Sequence, residues 1–155
     1  MTYPRDDASR KAADQVTVRK CAKAVGFLFI ALGVFGFVPG VTTQYDQMQF
    51  AGADSQALLF GVFQVSVLHN LLHLLYGIAG IWAAGNGVRA RSYLVGGGTL
   101  YLLIWLYAYL IDSESPAALV ALSDADNWLH LFLGVGMINL GLLMTRPPAD
   151  KPITG

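Results

Sequence analysis

Three histidines and an aspartate lie within long apolar stretches of the chain, where ionisable side chains are rare. Two of these stretches share the pattern Asn-x-Leu-His-Leu-x-x-Gly, first at 70–77 and again at 127–134. Asn, His and Gly at positions i, i+3 and i+7 fall on one side of an α-helix. The residue before each Asn is also polar, so each stretch predicts a helix with one polar stripe. The candidate polar cluster comprises His69, Asn70, His73, Asp126, Asn127 and His130.

These side chains could bind a metal or a haem. His69 and His73 are four residues apart, as are Asp126 and His130, so each pair would project from one face of its helix. If the two helices face each other, these four side chains supply nitrogen and oxygen ligands for a divalent metal such as Zn²⁺ or Cu²⁺. Alternatively, His73 and His130 could be the two axial ligands of a haem b.

Two further interpretations need no cofactor. Histidine titrates near neutral pH, so the cluster could belong to a proton path. It could also be structural, because a hydrogen bond between membrane helices contributes about 0.6 kcal/mol on average. We favour the structural interpretation. An enzyme is less favoured, and no catalytic residue is assigned, because the sequence contains no nucleophile elbow, zinc-protease motif or phosphate-binding loop.

The composition is typical of a membrane protein. Hydrophobic residues make up 55% of the 155 residues and charged residues only 13%, whereas soluble domains carry about 25% charged residues. The mean hydropathy is +0.51. Cys21 is the single cysteine, which excludes an intrachain disulfide and any metal site built from several cysteines.

Four apolar stretches predict four transmembrane helices, since about 20 apolar residues cross a bilayer. We therefore expect an all-α membrane protein, a four-helix bundle built from two parallel helical-hairpin repeats. The predicted spans cover about 22–38, 57–84, 92–111 and 117–144. Small residues let helices approach closely. The glycines predicted to pack helices are Gly33, Gly36, Gly77, Gly80, Gly134 and Gly141.

The charges predict the orientation. All ten Lys and Arg residues precede or open the first span, lie between the second and third, or follow the fourth. The charged residues in the opposite loops are all acidic, so both termini should be cytoplasmic in the inner or plasma membrane. Residues 1–20 and 146–155 are then the cytoplasmic tails. A cleaved signal peptide is less favoured, because no small-x-small cleavage motif follows the first apolar stretch.

The chain resembles a family of uncharacterised bacterial four-helix integral membrane proteins, classified as a domain of unknown function. The resemblance rests on LHNLLHLLYGIAGIW in the second apolar stretch and DNWLHLFLGVGMINLG in the fourth, and it covers about residues 20 to 145. It implies an integral membrane protein of four helices with these His, Asn and Gly positions. It implies no particular activity, substrate or cofactor.

Together these features predict a polytopic membrane scaffold or accessory subunit with the polar cluster between the second and fourth spans. Its expected partners are the lipid bilayer and a second copy of the chain or a larger membrane complex. Nucleic acid is not expected, because the basic residues show no basic-aromatic pattern. A metal- or haem-binding redox or sensory protein and a proton-linked transporter of small solutes remain the alternatives.

Overall fold

The chain is mostly helical, as the sequence predicts. The computed structural model describes residues 4–52, 54–111 and 123–143. Over these ranges the chain forms four α-helices and one small sheet. The helices are α1 (Pro4–Phe35), α2 (Val67–Ala83), α3 (Gly87–Leu110) and α4 (Asp124–Leu143).

The helices begin at residues that differ from the predicted span limits. Helix α1 starts at Pro4, so most of the segment predicted as an N-terminal tail is helical. Helix α2 starts only at Val67, although the second span is predicted from residue 57. Helix α4 starts at Asp124. The predicted start of the fourth span at 117 and the tail 146–155 lie outside the described residues.

The segment between α1 and α2 folds into a small antiparallel sheet with strand order β1-β2-β3. We call residues 36–66 the cap, because they contact the first turns of α2 and α4. The cap has a small apolar core of its own, separate from the core between the helices. It consists of Ala57, Leu59 and Val65. The strands are β1 (Thr42–Thr43), β2 (Leu58–Leu59) and β3 (Phe63–Gln64).

Helix α2 packs along α1, and α4 packs along α3, with glycines at the closest approach in both hairpins. A Cβ added to Gly77 of α2 would lie 2.6 Å from the carbonyl oxygen of Gly26 on α1. A Cβ added to Gly98 of α3 would lie 2.7 Å from the carbonyl oxygen of Gly134 on α4. Such distances leave no room for a side chain, so the paired backbones touch directly.

The other four glycines predicted to pack helices also lie against a neighbouring helix. Gly33 faces the Asn70 carbonyl oxygen, and Gly36 faces the Asn70 side chain. Gly80 faces the Tyr93 hydroxyl, and Gly141 faces Val95. Gly26 and Gly98, which complete the two crossings, were not among the six glycines predicted from the sequence.

The two hairpins meet through α1 and α3. The rings of Phe29 and Tyr101 lie 5.3 Å apart, centroid to centroid, at the centre of the bundle. Within the described residues, one helix, α3, is long and apolar enough to cross a bilayer, and α2 is apolar but shorter. Basic residues interrupt the apolar part of α1, and polar residues occupy the first turns of α4.

Candidate functional site

The start of α2 directs two histidines into the bundle. Ser66 is the N-cap residue, and its side-chain oxygen accepts a hydrogen bond from the backbone N–H of His69 at 3.1 Å. Capping satisfies one of the backbone donors that a helix leaves unpaired at its start. His69 and His73 then lie one turn apart on the buried face of α2.

The three histidines of the chain converge. The ring centroids of His69 and His73 lie 4.5 Å apart, and those of His69 and His130 lie 6.2 Å apart. All three side chains are buried, with 8% or less of their surface exposed. We call these three residues the histidine cluster.

The histidine cluster borders a cavity of about 140 Å³ between α2 and α3. Leu72 and Leu100 also line this cavity, and both side chains are exposed on the outer surface of the molecule. The cavity therefore runs from the histidines to the outer surface between two helices. The remaining lining residues are Tyr76, Tyr101 and Ile104.

The surroundings of the imidazoles are mostly apolar and aromatic. The ring of His73 lies 5.5 Å from that of Phe29, and the ring of His130 lies 5.1 Å from that of Tyr101. The Nδ1 atoms of His73 and His130 are buried and have no hydrogen-bond partner among the described residues. Buried polar atoms normally have a partner, so these two nitrogens leave hydrogen-bonding capacity unused.

Asp126 makes its hydrogen bonds to the cap and to the start of α4. Its Oδ2 accepts hydrogen bonds from the backbone N–H of Gln64 at 2.9 Å and from the backbone N–H of Ser123 at 2.8 Å. The Ser123 hydroxyl donates to the same oxygen at 2.7 Å. Ser123 and Asp126 thus form a capping box at the start of α4. The carboxylate joins β3 to this helix.

The two asparagines lie apart from the cavity lining. Asn70 is fully buried, and its side chain packs against Gly36, the residue that follows α1 and begins the cap. Its amide nitrogen lies 4.0 Å from the Met48 sulfur in the cap. Asn127 is half-buried on α4. Of the six predicted cluster residues, the three histidines and Asp126 line one small cavity. Asn70 instead packs at the junction of α1 and the cap, and Asn127 lies half-buried on α4.

The site does not fit the predicted cofactors. Among the described residues, no group of three or more His, Cys, Asp or Glu side chains is placed to hold a metal ion. A haem is much larger than the 140 Å³ cavity that His73 and His130 share, because even drug-sized ligands occupy about 300 Å³ or more. Asp126 and the three histidines line one small cavity, but the Asp126 Oδ2 already accepts hydrogen bonds from the backbone N–H groups of Gln64 and Ser123 and from the Ser123 hydroxyl.

The sequence indicates a local hydrogen bond at Ser66, but it does not single out Ser123 or Gln64. Ser66 and Ser123 each cap a helix three residues before a polar residue of the cluster. The pattern Ser-x-x-Asp before an apolar helix is a known capping signature, so Ser123 could have been predicted. Gln64 contributes its backbone N–H to Asp126, a contact that no sequence pattern identifies.

Comparisons with known proteins identify one family. Searches of curated proteins and of solved structures found no match. A family model matches residues 19–143, which include the cap and all of α2, α3 and α4. That family is described as a domain of unknown function, so any activity must be argued from the site itself. The chain belongs to the family Domain of unknown function (DUF4383).

Proposed function

We propose that this protein is a polytopic membrane protein of four spanning helices that acts as a scaffold or accessory subunit. The observation that carries the proposal is a distribution of polar and apolar side chains opposite to that of a soluble protein. Imidazole, carboxylate and carboxamide groups are buried, while large apolar side chains cover the outside of all four helices. In water this arrangement is unfavourable, whereas lipid tails solvate such a surface.

The outward apolar side chains are large and contiguous. On α2, Leu75 is 63% exposed, and Ile78, about one turn further along the helix, is 58% exposed. On α4, Phe132 is 69% exposed. Soluble monomers rarely expose contiguous apolar surface of this kind. These apolar faces therefore require contact with lipid or with a partner helix.

Helix length is compatible with the proposal. A bilayer core is about 30 Å thick, which about 20 helical residues span. Helices α3 and α4 have 24 and 20 residues. Helix α2 has 17 residues and spans about 26 Å at the usual rise of 1.5 Å per residue.

Charged residues distinguish the two ends of the bundle. At the end opposite the cap, the Arg19 side chain donates a hydrogen bond to the Ala84 carbonyl oxygen at 2.8 Å. At the same end, the Arg89 guanidinium lies 4.5 Å from the centre of the Trp82 ring. Arginine and tryptophan are enriched at membrane interfaces, and basic residues favour the cytoplasmic side. This supports cytoplasmic termini and a cap on the outside.

We also propose that the two hairpins are copies of one unit. Gly26 and Gly98 lie at equivalent crossings, and four residues beyond each, Ile30 and Leu102 contact the partner glycine. The residues four beyond Gly77 and Gly134 are both isoleucines that contact the first helix of their own hairpin. All four helices thus place a contacting residue four positions after the crossing glycine, which is what duplication of one hairpin would leave.

The scaffold role follows from how the polar groups are used. The carboxylate of Asp126 joins the cap to α4, and Asn70 packs between α1 and the cap. These contacts fix the cap and the helices relative to each other. The apolar outer faces then remain available for lipid and for a partner subunit.

Cysteine labelling tests the proposed topology. In a Cys21→Ala background, Asp46→Cys places a thiol in the cap, and Ser92→Cys places one at the opposite end; both native residues are exposed. We expect a membrane-impermeant maleimide added to intact cells to label Asp46→Cys and to leave Ser92→Cys unlabelled until the cells are lysed. Recovery of the protein in the soluble fraction, or the reverse labelling pattern, would contradict the proposal.

A further inference from the structure

We propose that the cavity beside the histidine cluster binds the head of a membrane-soluble quinone or quinol, a single neutral ring with oxygen substituents and an apolar tail. The inference rests on the membrane location proposed above, since the ligand would arrive from the lipid phase. It assigns a ligand to a site that the scaffold role leaves unused.

The size of the cavity favours one ring. Its volume is about 140 Å³. An engineered protein cavity of about 150 Å³ binds benzene, so this volume suits a six-membered ring and excludes a fused multi-ring cofactor. Two tyrosines and three imidazoles form much of the wall. Aromatic walls favour a planar ring, because offset and edge-to-face contacts stabilise aromatic pairs.

The polar groups favour oxygen substituents on the ring. His73 and His130 each have a buried Nδ1 without a hydrogen-bond partner among the described residues, and both side chains line the cavity. An imidazole nitrogen donates to a quinone carbonyl in one tautomer and accepts from a quinol hydroxyl in the other. The two Nδ1 atoms are buried from the cavity itself, so a ligand in either form would reach them through a rotation of the imidazole rings and would then satisfy groups that are otherwise costly to bury.

The charge of the lining favours a neutral ligand over a fatty acid. Among the residues that the structure describes, no Lys or Arg lines the cavity. A carboxylate would therefore enter an apolar site without a fixed cation, which is unfavourable. A quinone head carries no charge and loses little hydration on entry.

The mouth of the cavity provides a path for the tail. Leu72 of α2 and Leu100 of α3 line the cavity, and each is 47% exposed on the outer surface. An apolar chain leaving the ring would pass between these two leucines into the surrounding lipid. The ligand would thus be taken up laterally from the membrane.

Titration of the purified full chain in mild detergent tests this inference. The probe is a benzoquinone with a ten-carbon tail, and isothermal calorimetry reports its affinity. We expect saturable binding of one probe per chain. We expect Leu100→Trp, which fills the mouth, to weaken binding about tenfold or more. Leu103→Trp on the same helix faces outward and is the matched control with unchanged binding.

Substitution of the histidines tests the polar contacts. We expect His73→Phe and His130→Phe each to weaken quinone binding about tenfold, since a hydrogen bond to a buried ligand is lost. Decanoate serves as the charged probe and should bind less tightly than the quinone. Absence of saturable binding, equal affinity in the Leu100→Trp and Leu103→Trp variants, or tighter binding of decanoate would each overturn the inference.

The binding assay and the labelling assay test the ligand site and the membrane topology separately. Binding in detergent requires only the folded bundle, whereas labelling of Asp46→Cys from outside requires the proposed orientation. Quinone binding without outside labelling would overturn the proposed topology and keep the ligand site. Outside labelling without quinone binding would overturn the ligand site alone.

Discussion

The two helical hairpins cross in the same way. In the first, Gly26 of α1 lies against Gly77 of α2, and in the second, Gly98 of α3 lies against Gly134 of α4. Three residues beyond the first glycine of each pair is an aromatic side chain, Phe29 or Tyr101, and these two rings meet at the centre. The two crossings therefore match in their glycine pairs and in the aromatic residue that follows the first glycine.

The hairpins differ in how they use equivalent polar positions. Ser66 and Ser123 both cap a helix, and the third residue after each is His69 in α2 but Asp126 in α4. His69 joins the histidine cluster, whereas Asp126 bonds to the cap. Glycines thus occupy matching places at the two crossings, while single polar positions take different roles.

The largest expected effect comes from filling the crossings. A Cβ at Gly77 would lie 2.6 Å from the Gly26 carbonyl oxygen, and one at Gly134 would lie 2.9 Å from that of Gly98. We expect Gly77→Val and Gly134→Val each to lower the free energy of unfolding by about 3 kcal/mol, because the paired backbones must separate. Thermal unfolding in detergent would measure the loss.

Gly136 provides the matched control for these variants. It lies on α4 two residues beyond Gly134, and an added Cβ would meet nothing within 4 Å. Gly136→Ala should be neutral or should raise the free energy of unfolding by up to about 1 kcal/mol, since alanine favours helix. If Gly134→Val were as well tolerated as Gly136→Ala, the close crossing would not exist.

Removing the carboxylate of Asp126 should have the next largest effect. Asp126→Ala leaves the backbone N–H groups of Gln64 and Ser123 without their acceptor. We expect the free energy of unfolding to fall by about 2 kcal/mol, the usual range for hydrogen bonds to a charged group. Asp124→Ala, at an exposed position in the same turn, should cost less than about 1 kcal/mol. Equal losses in the two variants would contradict the role of Asp126 in holding the cap.

Substitution of either capping serine by alanine should lower the free energy of unfolding by less than Asp126→Ala does, and the two losses should differ. Ser66 accepts one hydrogen bond from the backbone, whereas Ser123 also donates to Asp126. We expect Ser66→Ala to lower the free energy of unfolding by about 1 kcal/mol, the usual value for an N-cap, and Ser123→Ala to lower it further. Chemical unfolding of both variants under one condition would compare them. A greater loss for Ser66→Ala would contradict the difference between the hairpins.

The smallest effect on folding is expected at the histidines. The His73→Gln, His130→Gln double variant should remain inserted and folded, with a loss of less than about 2 kcal/mol, because single polar contacts between membrane helices are weak. Size-exclusion chromatography and thermal unfolding would check this. Aggregation of the double variant would instead assign the histidines a dominant structural role.

The sequence predicts the helices well and the cap poorly. The apolar stretches around α2 and α3 are long enough to favour helix, and both form. The stretch at 57–66 is equally apolar but forms strands, with Phe60 and Gly61 in the left-handed region at the turn (φ 54° and 72°). Short apolar runs fit strand and helix alike, so hydrophobicity alone could not separate the cap from α2.

The burial of the polar residues can be predicted from the sequence more accurately than their contacts. Asn70 and His73 share one stripe of α2 by spacing, yet Asn70 faces α1 and His73 faces the centre. A stripe about 100° wide can contact two neighbouring helices. Helical periodicity gives the buried face of a helix and leaves its neighbours undetermined.

Site-directed spin labelling in proteoliposomes tests the proposed membrane bundle most directly. Labels would replace Ile78 on α2 and Val135 on α4, two exposed apolar positions, in the Cys21→Ala background. We predict that oxygen, which concentrates in lipid, relaxes both labels strongly, and that a water-soluble nickel complex relaxes them weakly. Strong relaxation of both labels by the nickel complex would place these faces in water and contradict the account.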